Sequence, residues 1–137
     1  MGIWMIKIAS FYFLVGVVMG MGMSMTESYG LSPVHVHLNL IGWVSMAIGG
    51  LVYERFPSAA RTLGKLHFWM HNAGVPLMMG GLAAYILGFP VLAPLIPVGG
   101  ILIVLGTLLF FLNVVRNVHG VREAQADRSA SRSTPAG

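Results

Sequence analysis

Four apolar blocks, each of roughly 20 residues or more, occupy most of this chain, and that is the length with which an α-helix crosses a hydrocarbon core of about 30 Å. They run from about Ile3 to Met25, Val34 to Tyr53, Leu66 to Gly88 and Leu92 to Val115. In 137 residues they leave little room for anything else. The expected fold is an all-α, integral membrane four-helix bundle over 1–116. The remaining 117–137 form a basic tail of Ser, Ala, Arg and Pro with no apolar stripe, a composition that reads as disordered. Only 9% of residues are charged, against about a quarter in soluble domains, so a soluble fold is excluded.

Prolines punctuate the blocks. Pro33 opens the second helix where a missing N–H costs nothing, Pro57 lies in the loop after it, and Pro90, Pro94 and Pro97 crowd the turn into the fourth. The first block is too long for the apolar core of a secretory leader, and no small-residue cleavage pattern follows it. Cations orient the bundle. Arg55, Arg61 and Lys65 sit in the second loop and Arg116, Arg122, Arg128 and Arg132 at and beyond the last helix, whereas the first and third loops carry none. Since Lys and Arg in short loops resist translocation, both termini are expected in the cytoplasm, with Lys7 snorkelling inward. Trp4, Tyr53 and Trp69 then fall near the inner interface and Tyr29 and Tyr85 near the outer one. The net charge of +4 follows this topology, and no nucleic-acid partner is expected.

Without cysteine the chain has no thiolate metal site, iron–sulfur cluster, disulfide, covalently attached heme or Cys nucleophile. The spans hold no carboxylate except Glu54 at a border, which argues against proton relays and metalloproteases. What they do hold is histidine. At 100° per residue, His35, Asn39, Gly42, Met46, Gly49 and Tyr53 share one face of the second helix, and His37 points nearly opposite with Ile41, Val44 and Ile48. On the third helix His67, His71, Gly74, Met78, Gly81 and Tyr85 form a stripe that reads as a buried face; on the first, Tyr12, Gly16, Gly20 and Met23 line up, with Gly16 and Gly20 permitting close helix approach. Four intramembrane histidines carry an insertion cost that packing alone does not offset, so His35, His37, His67 and His71 are candidate ligands. Met19, Met21, Met23 and Met25 lie near the depth of His35 and His37, and a Met/His set suits copper, but alternate residues on a helix do not share a face.

The run Ser32-Pro33-Val34-His35-Val36-His37-Leu38-Asn39-Leu40-Ile41-Gly42-Trp43, followed by Leu66-His67-Phe68-Trp69-Met70-His71-Asn72, resembles the small heme-copper oxidase subunit I-like proteins. The resemblance covers the four spans. In the full-length catalytic subunits of cytochrome oxidases and nitric oxide reductases a His near the outer end of the second helix ligates the low-spin heme. His35 matches that ligand best, and His37 is the competing register. The resemblance therefore implies heme b, with Met23 or a symmetry mate as the second axial partner or none, and with the small, polar face of Asn39 and Gly42 giving room to a flat macrocycle. It also implies assembly, because the large subunits resemble three four-helix arcs, which a homotrimer of this chain would mimic. The remaining heme and copper ligands of those subunits come from helices that this chain lacks, so one copy is no complete oxygen-reducing centre.

From span centres, His35 lies outward and His71 inward by a combined offset of roughly 20 Å along the membrane normal, so they serve separate sites. His67 and His71 then make an inner metal site or a hydrogen-bond seam with Asn72 and Asn113. The sequence is read as a heme b-binding protein of a bacterial inner membrane, in contact with the bilayer and with further copies of itself, serving electron transfer with a redox partner, heme or gas sensing, or assembly of a redox complex. The rival readings are a copper-handling membrane protein and a cofactor-free scaffold.

Overall fold

The computed structural model describes residues 1–118; Asn117, the first residue of the expected basic tail, ends the last helix, and 119–137 lie outside the described residues. Helix α1 spans Gly2–Thr26, α2 Ser32–Arg55, α3 Thr62–Ile86 and α4 Leu95–Asn117. The first, second and last are long and apolar enough to cross a membrane. Helix α3 is as long as α1, 25 residues each, but His67, His71, Asn72 and Lys65 dilute its apolar content, and it is not among those three.

Neighbours in sequence are the principal neighbours in space: α1 packs along α2, α4 along α3, and the two hairpins join where α2 meets α3. Tight turns make both hairpins. Glu27 takes the left-handed conformation after α1 (φ 52°), and its N–H and that of Ser28 both return to the Met23 carbonyl. Gly88 does the corresponding job after α3 at φ 91°, a value that costs glycine nothing. At the opposite end the Glu54 carboxylate accepts from the Ile3 N–H (2.9 Å), capping the electropositive start of α1 and tying it to the end of α2. The one border carboxylate is thus structural. Lys7 lies with its Nζ 5.0 Å from the Trp4 ring centre, a cation–π contact for an exposed cation.

The α3–α4 hairpin closes on small residues. A Cβ at Gly99 would collide with the backbone N of Met78 and lie 2.6 Å from the Gly74 carbonyl; one at Gly74 would lie 2.9 Å from the Gly99 carbonyl. Backbone cannot move aside, so the two helices touch only because both side chains are hydrogen. Pro76 interrupts the α3 ladder on an exposed face and α3 continues through it. We expect Gly99→Ala to lower the stability of the hairpin by about 1–3 kcal/mol, the usual cost of overpacking. Gly100→Ala, whose Cβ would meet only the Met78 sulfur at 4.0 Å, should leave thermal unfolding in detergent unchanged or raise it. Equal effects of the two substitutions would refute the close approach.

Candidate functional site

The middle of α2 departs from the regular helix: Leu38–Ser45 runs as eight residues of π-helix, its turns widened by one residue. Side chains occupy the carbonyls around this segment. Asn39 Nδ2 donates to the His35 carbonyl (2.8 Å), Ser45 Oγ to the Leu40 carbonyl five residues back (2.8 Å), and His71 Nε2 to the Ile41 carbonyl across from α3 (3.0 Å). Such donors compete with the i→i−4 ladder and take up the acceptors that a widened turn leaves free.

On the α1 side of α2, the stripe read from α1 is the seam between the two helices. Tyr12 packs on Gly42 (3.0 Å to the Cβ it would have), Gly16 admits the Asn39 amide and Gly20 the His35 imidazole, whose Cε1 would stand 2.7 Å from a Cβ there. Gly16 and Gly20 therefore serve packing within one chain, against polar side chains. His35, half-buried, bonds through Nδ1 to the Gly16 carbonyl at 2.8 Å. A carbonyl only accepts, so the proton is assigned to Nδ1, and Nε2 carries the free lone pair. His37 bonds through Nδ1 to the Pro33 carbonyl of its own helix (2.7 Å). Met23 is buried in the same seam, with its sulfur 3.9 Å from Ser32 Oγ. Met21 and Met25 are 64% and 77% exposed, so only Met19 and Met23 lie on the buried side with His35, and the methionine run does not gather as a set.

On the other side of α2, His67 and His71 are 3% and 2% exposed, and their rings meet edge to face at 5.3 Å. Tyr53 OH and His67 Nδ1 are 2.7 Å apart, and the His67 ring fits between Gly49 of α2 and Gly106 of α4. Among the described residues neither Asn72 nor Asn113 bonds directly to either histidine. Asn72 donates to the Phe68 carbonyl of its own helix, and Asn113, 1% exposed, to the Ala59 carbonyl in the loop. Tyr53 and the Ile41 carbonyl take those places, the first by lying one level below His67, the second because the π-helical segment leaves it available.

The vertical offset is also smaller than the span centres gave. His71 bonds to Ile41, six residues from His35 and hence about 9 Å along α2, because α3 begins at Thr62 and sets His67 against Gly49. The two imidazoles still belong to different sites, since one engages α1 and the other, carried by α3, faces α2 and α4. A groove of about 350 Å³ opens beside the inner pair, lined by Ile41, Ser45, Ile48, Ile103, Thr107 and Phe110 together with both histidines. Ser45 and Thr107 carried no periodic signal, being single hydroxyls in apolar runs. Among the described residues no three His, Asp or Glu side chains gather as a metal site.

No protein-family model, curated protein or solved structure matches this chain. The expectation of a relationship to oxidase subunits rests on the sequence at 32–43 and 66–72 alone.

Tyr53→Phe removes the hydrogen-bond partner that His67 has among the described residues and leaves its Nδ1 without one. The expected cost is about 1–3 kcal/mol in thermal unfolding, whereas Tyr85→Phe, on an exposed residue, should change nothing measurable. A silent Tyr53→Phe would remove this contact from the account.

Proposed function

We propose that this chain is a heme b-binding membrane protein of the heme-copper oxidase subunit I type, in which four membrane-crossing helices per chain assemble as a homotrimer. It serves electron transfer with a partner protein, heme or gas sensing, or assembly of a larger redox complex in a bacterial inner membrane, with both termini cytoplasmic. The supporting observation is the state of His35. Imidazoles that ligate metal almost always donate their other ring N–H to a carbonyl or carboxylate, which fixes the tautomer and raises the basicity of the ligating nitrogen. His35 has that arrangement already, Nδ1–H on the Gly16 carbonyl and Nε2 free.

An imidazole held in this way would suit heme iron as a ligand, a common role for histidine. His35 would hold the iron, the Gly16 carbonyl fixes the imidazole from behind, and Gly20 leaves it the room it occupies. When bound, heme supplies a one-electron couple or a gas-binding iron; the chain supplies binding, orientation and an apolar surround. His37, bonded to its own helix, is the second choice, and Met23, engaged near Ser32, would be a poorer second ligand than a residue from another copy. Many large apolar side chains are exposed on all four helices, among them Phe11, Ile48, Trp69 and Phe111, which gives lipid and further copies of the chain surface to cover.

The test is the reduced-minus-oxidised visible spectrum of protein purified in mild detergent. A Soret band with reduced α and β bands is expected, lost in His35→Ala and in Gly20→Leu, and kept in His71→Ala, with helical circular dichroism equal in all. Native mass spectrometry of the same preparation should give three chains, and a single Cys at Ser28 should label from outside the cell. Retention of heme and an unchanged spectrum in His35→Ala would sink the assignment.

A further inference from the structure

We propose that the outer face at the start of α3, formed by Arg61, Lys65 and Trp69, binds the phosphate headgroup of an anionic phospholipid. The three residues recur at i, i+4 and i+8, and the Lys65 N–H meets the Arg61 carbonyl at 2.9 Å, so the turn that stacks them is formed. All three are exposed, Trp69 by 69%. Successive members are about 6 Å apart along the helix axis. Two cations therefore stand at the rim, with an indole one turn deeper.

Hydrogen bonds place this rim at a membrane surface. Ser58 Oγ donates to the Asn117 carbonyl (2.8 Å) and Asn113 Nδ2 to the Ala59 carbonyl (2.7 Å), which holds the loop before α3 against the last turns of α4. Helices α2 and α4 are long and apolar enough to cross a membrane, so the end of α2, the end of α4 and the start of α3 beside them lie at the level of headgroups. Tryptophan is enriched in that layer.

Charge states what the face recognises. The two carboxylates among the described residues are Glu27, past the far end of α1, and Glu54, which accepts from the Ile3 N–H. Neither neutralises Arg61 or Lys65, and Arg55 and Arg116 add two exposed cations at the same end of the molecule. Like charges at i, i+4 repel, and an anion between them removes that cost. A phosphodiester suits both: the guanidinium fork matches two of its oxygens and the ammonium meets it as a point charge. The glycerol and acyl chains below the phosphate then cover the Trp69 ring, which a free phosphate would leave bare, so the ligand is a lipid. Basic clusters at helix ends attract anionic headgroups in this way. The face shares no residue with the His35 seam and does not depend on heme.

The experiment uses the full chain carrying Trp4→Phe and Trp43→Phe, which leaves Trp69 as the single indole, in vesicles of equal parts phosphatidylcholine and phosphatidylglycerol. In parallel samples one lipid or the other carries bromine on its acyl chains, which quenches an adjacent indole. Brominated phosphatidylglycerol should quench Trp69 as a ligand preferred at least ~5-fold over phosphatidylcholine, the factor that one cation near an anionic headgroup supplies. The preference should vanish in the double variant Arg61→Gln/Lys65→Gln. It should persist in Lys7→Gln/Arg128→Gln, which removes the same charge elsewhere, and under an excess of soluble glycerol phosphate, with helical circular dichroism equal throughout. Equal quenching by the two lipids, equal loss in both double variants, or displacement by glycerol phosphate would each overturn the proposal. The first leaves ordinary interfacial cations, the second a diffuse effect of net charge and the third a site for a soluble phosphate.

Discussion

A polar side chain within apolar helices has one acceptor always within reach, the backbone carbonyl, and the rest of this structure depends on how its imidazoles and amides use it. His35 takes the Gly16 carbonyl from a neighbouring helix, His71 takes Ile41, Asn113 takes Ala59, and Asn39 and Asn72 take carbonyls one turn back on their own helices. Away from water each of these bonds replaces hydration that would otherwise be lost without return. The choice of acceptor also determines the chemistry. Because a carbonyl can only accept, the ring nitrogen that meets it is the protonated one, and the opposite nitrogen is left as a base or ligand.

The two sides of α2 use that rule in opposite senses. On the α1 side the carbonyl meets Nδ1 of His35 and frees Nε2; on the α3 side it meets Nε2 of His71 and frees Nδ1. Glycine makes both possible. Gly20 removes the side chain that would exclude the His35 ring, Gly16 the one that would exclude the Asn39 amide, and Gly49 lets the His67 ring lie close against α2. In α3 and α4, Gly74 and Gly99 instead bring two backbones together. The π-helical Leu38–Ser45 segment lies between the two sites and contributes the Ile41 acceptor to one of them. A widened turn is costly in isolation, so its place here, beside two histidines and a groove, agrees with the tendency of π-helical turns to occur at functional sites.

Much of the helix layout was legible from hydropathy. The four blocks correspond to the four helices, with ends that moved by a few residues as Thr62 and Leu95 replaced 66 and 92. The Tyr12, Gly16, Gly20, Met23 stripe was legible too, because a regular α1 obeys the 100° step from end to end. What the period could not carry was the partner of each stripe. Nothing in a one-dimensional pattern says that Gly20 faces an imidazole, that Tyr53 lies beneath His67 or that Asn113 reaches back to a loop carbonyl. The depth of His71 was misjudged for a related reason: span centres locate a helix only to within its fuzzy ends, and α3 starts four residues before its apolar block. The π-helical segment was invisible, since Leu38–Ser45 has the composition of an ordinary apolar helix.

The central claim, that backbone carbonyls set the two histidines in opposite tautomers and leave one lone pair on each side of α2, is tested most directly by ¹⁵N spectra of histidine-labelled protein in lipid at neutral pH. Single His→Gln variants assign the signals. The account predicts that the ring N–H facing a carbonyl is Nδ1 in His35 and Nε2 in His71, each as a single tautomer. Both residues in the same tautomer, or His71 protonated at Nδ1, would contradict it.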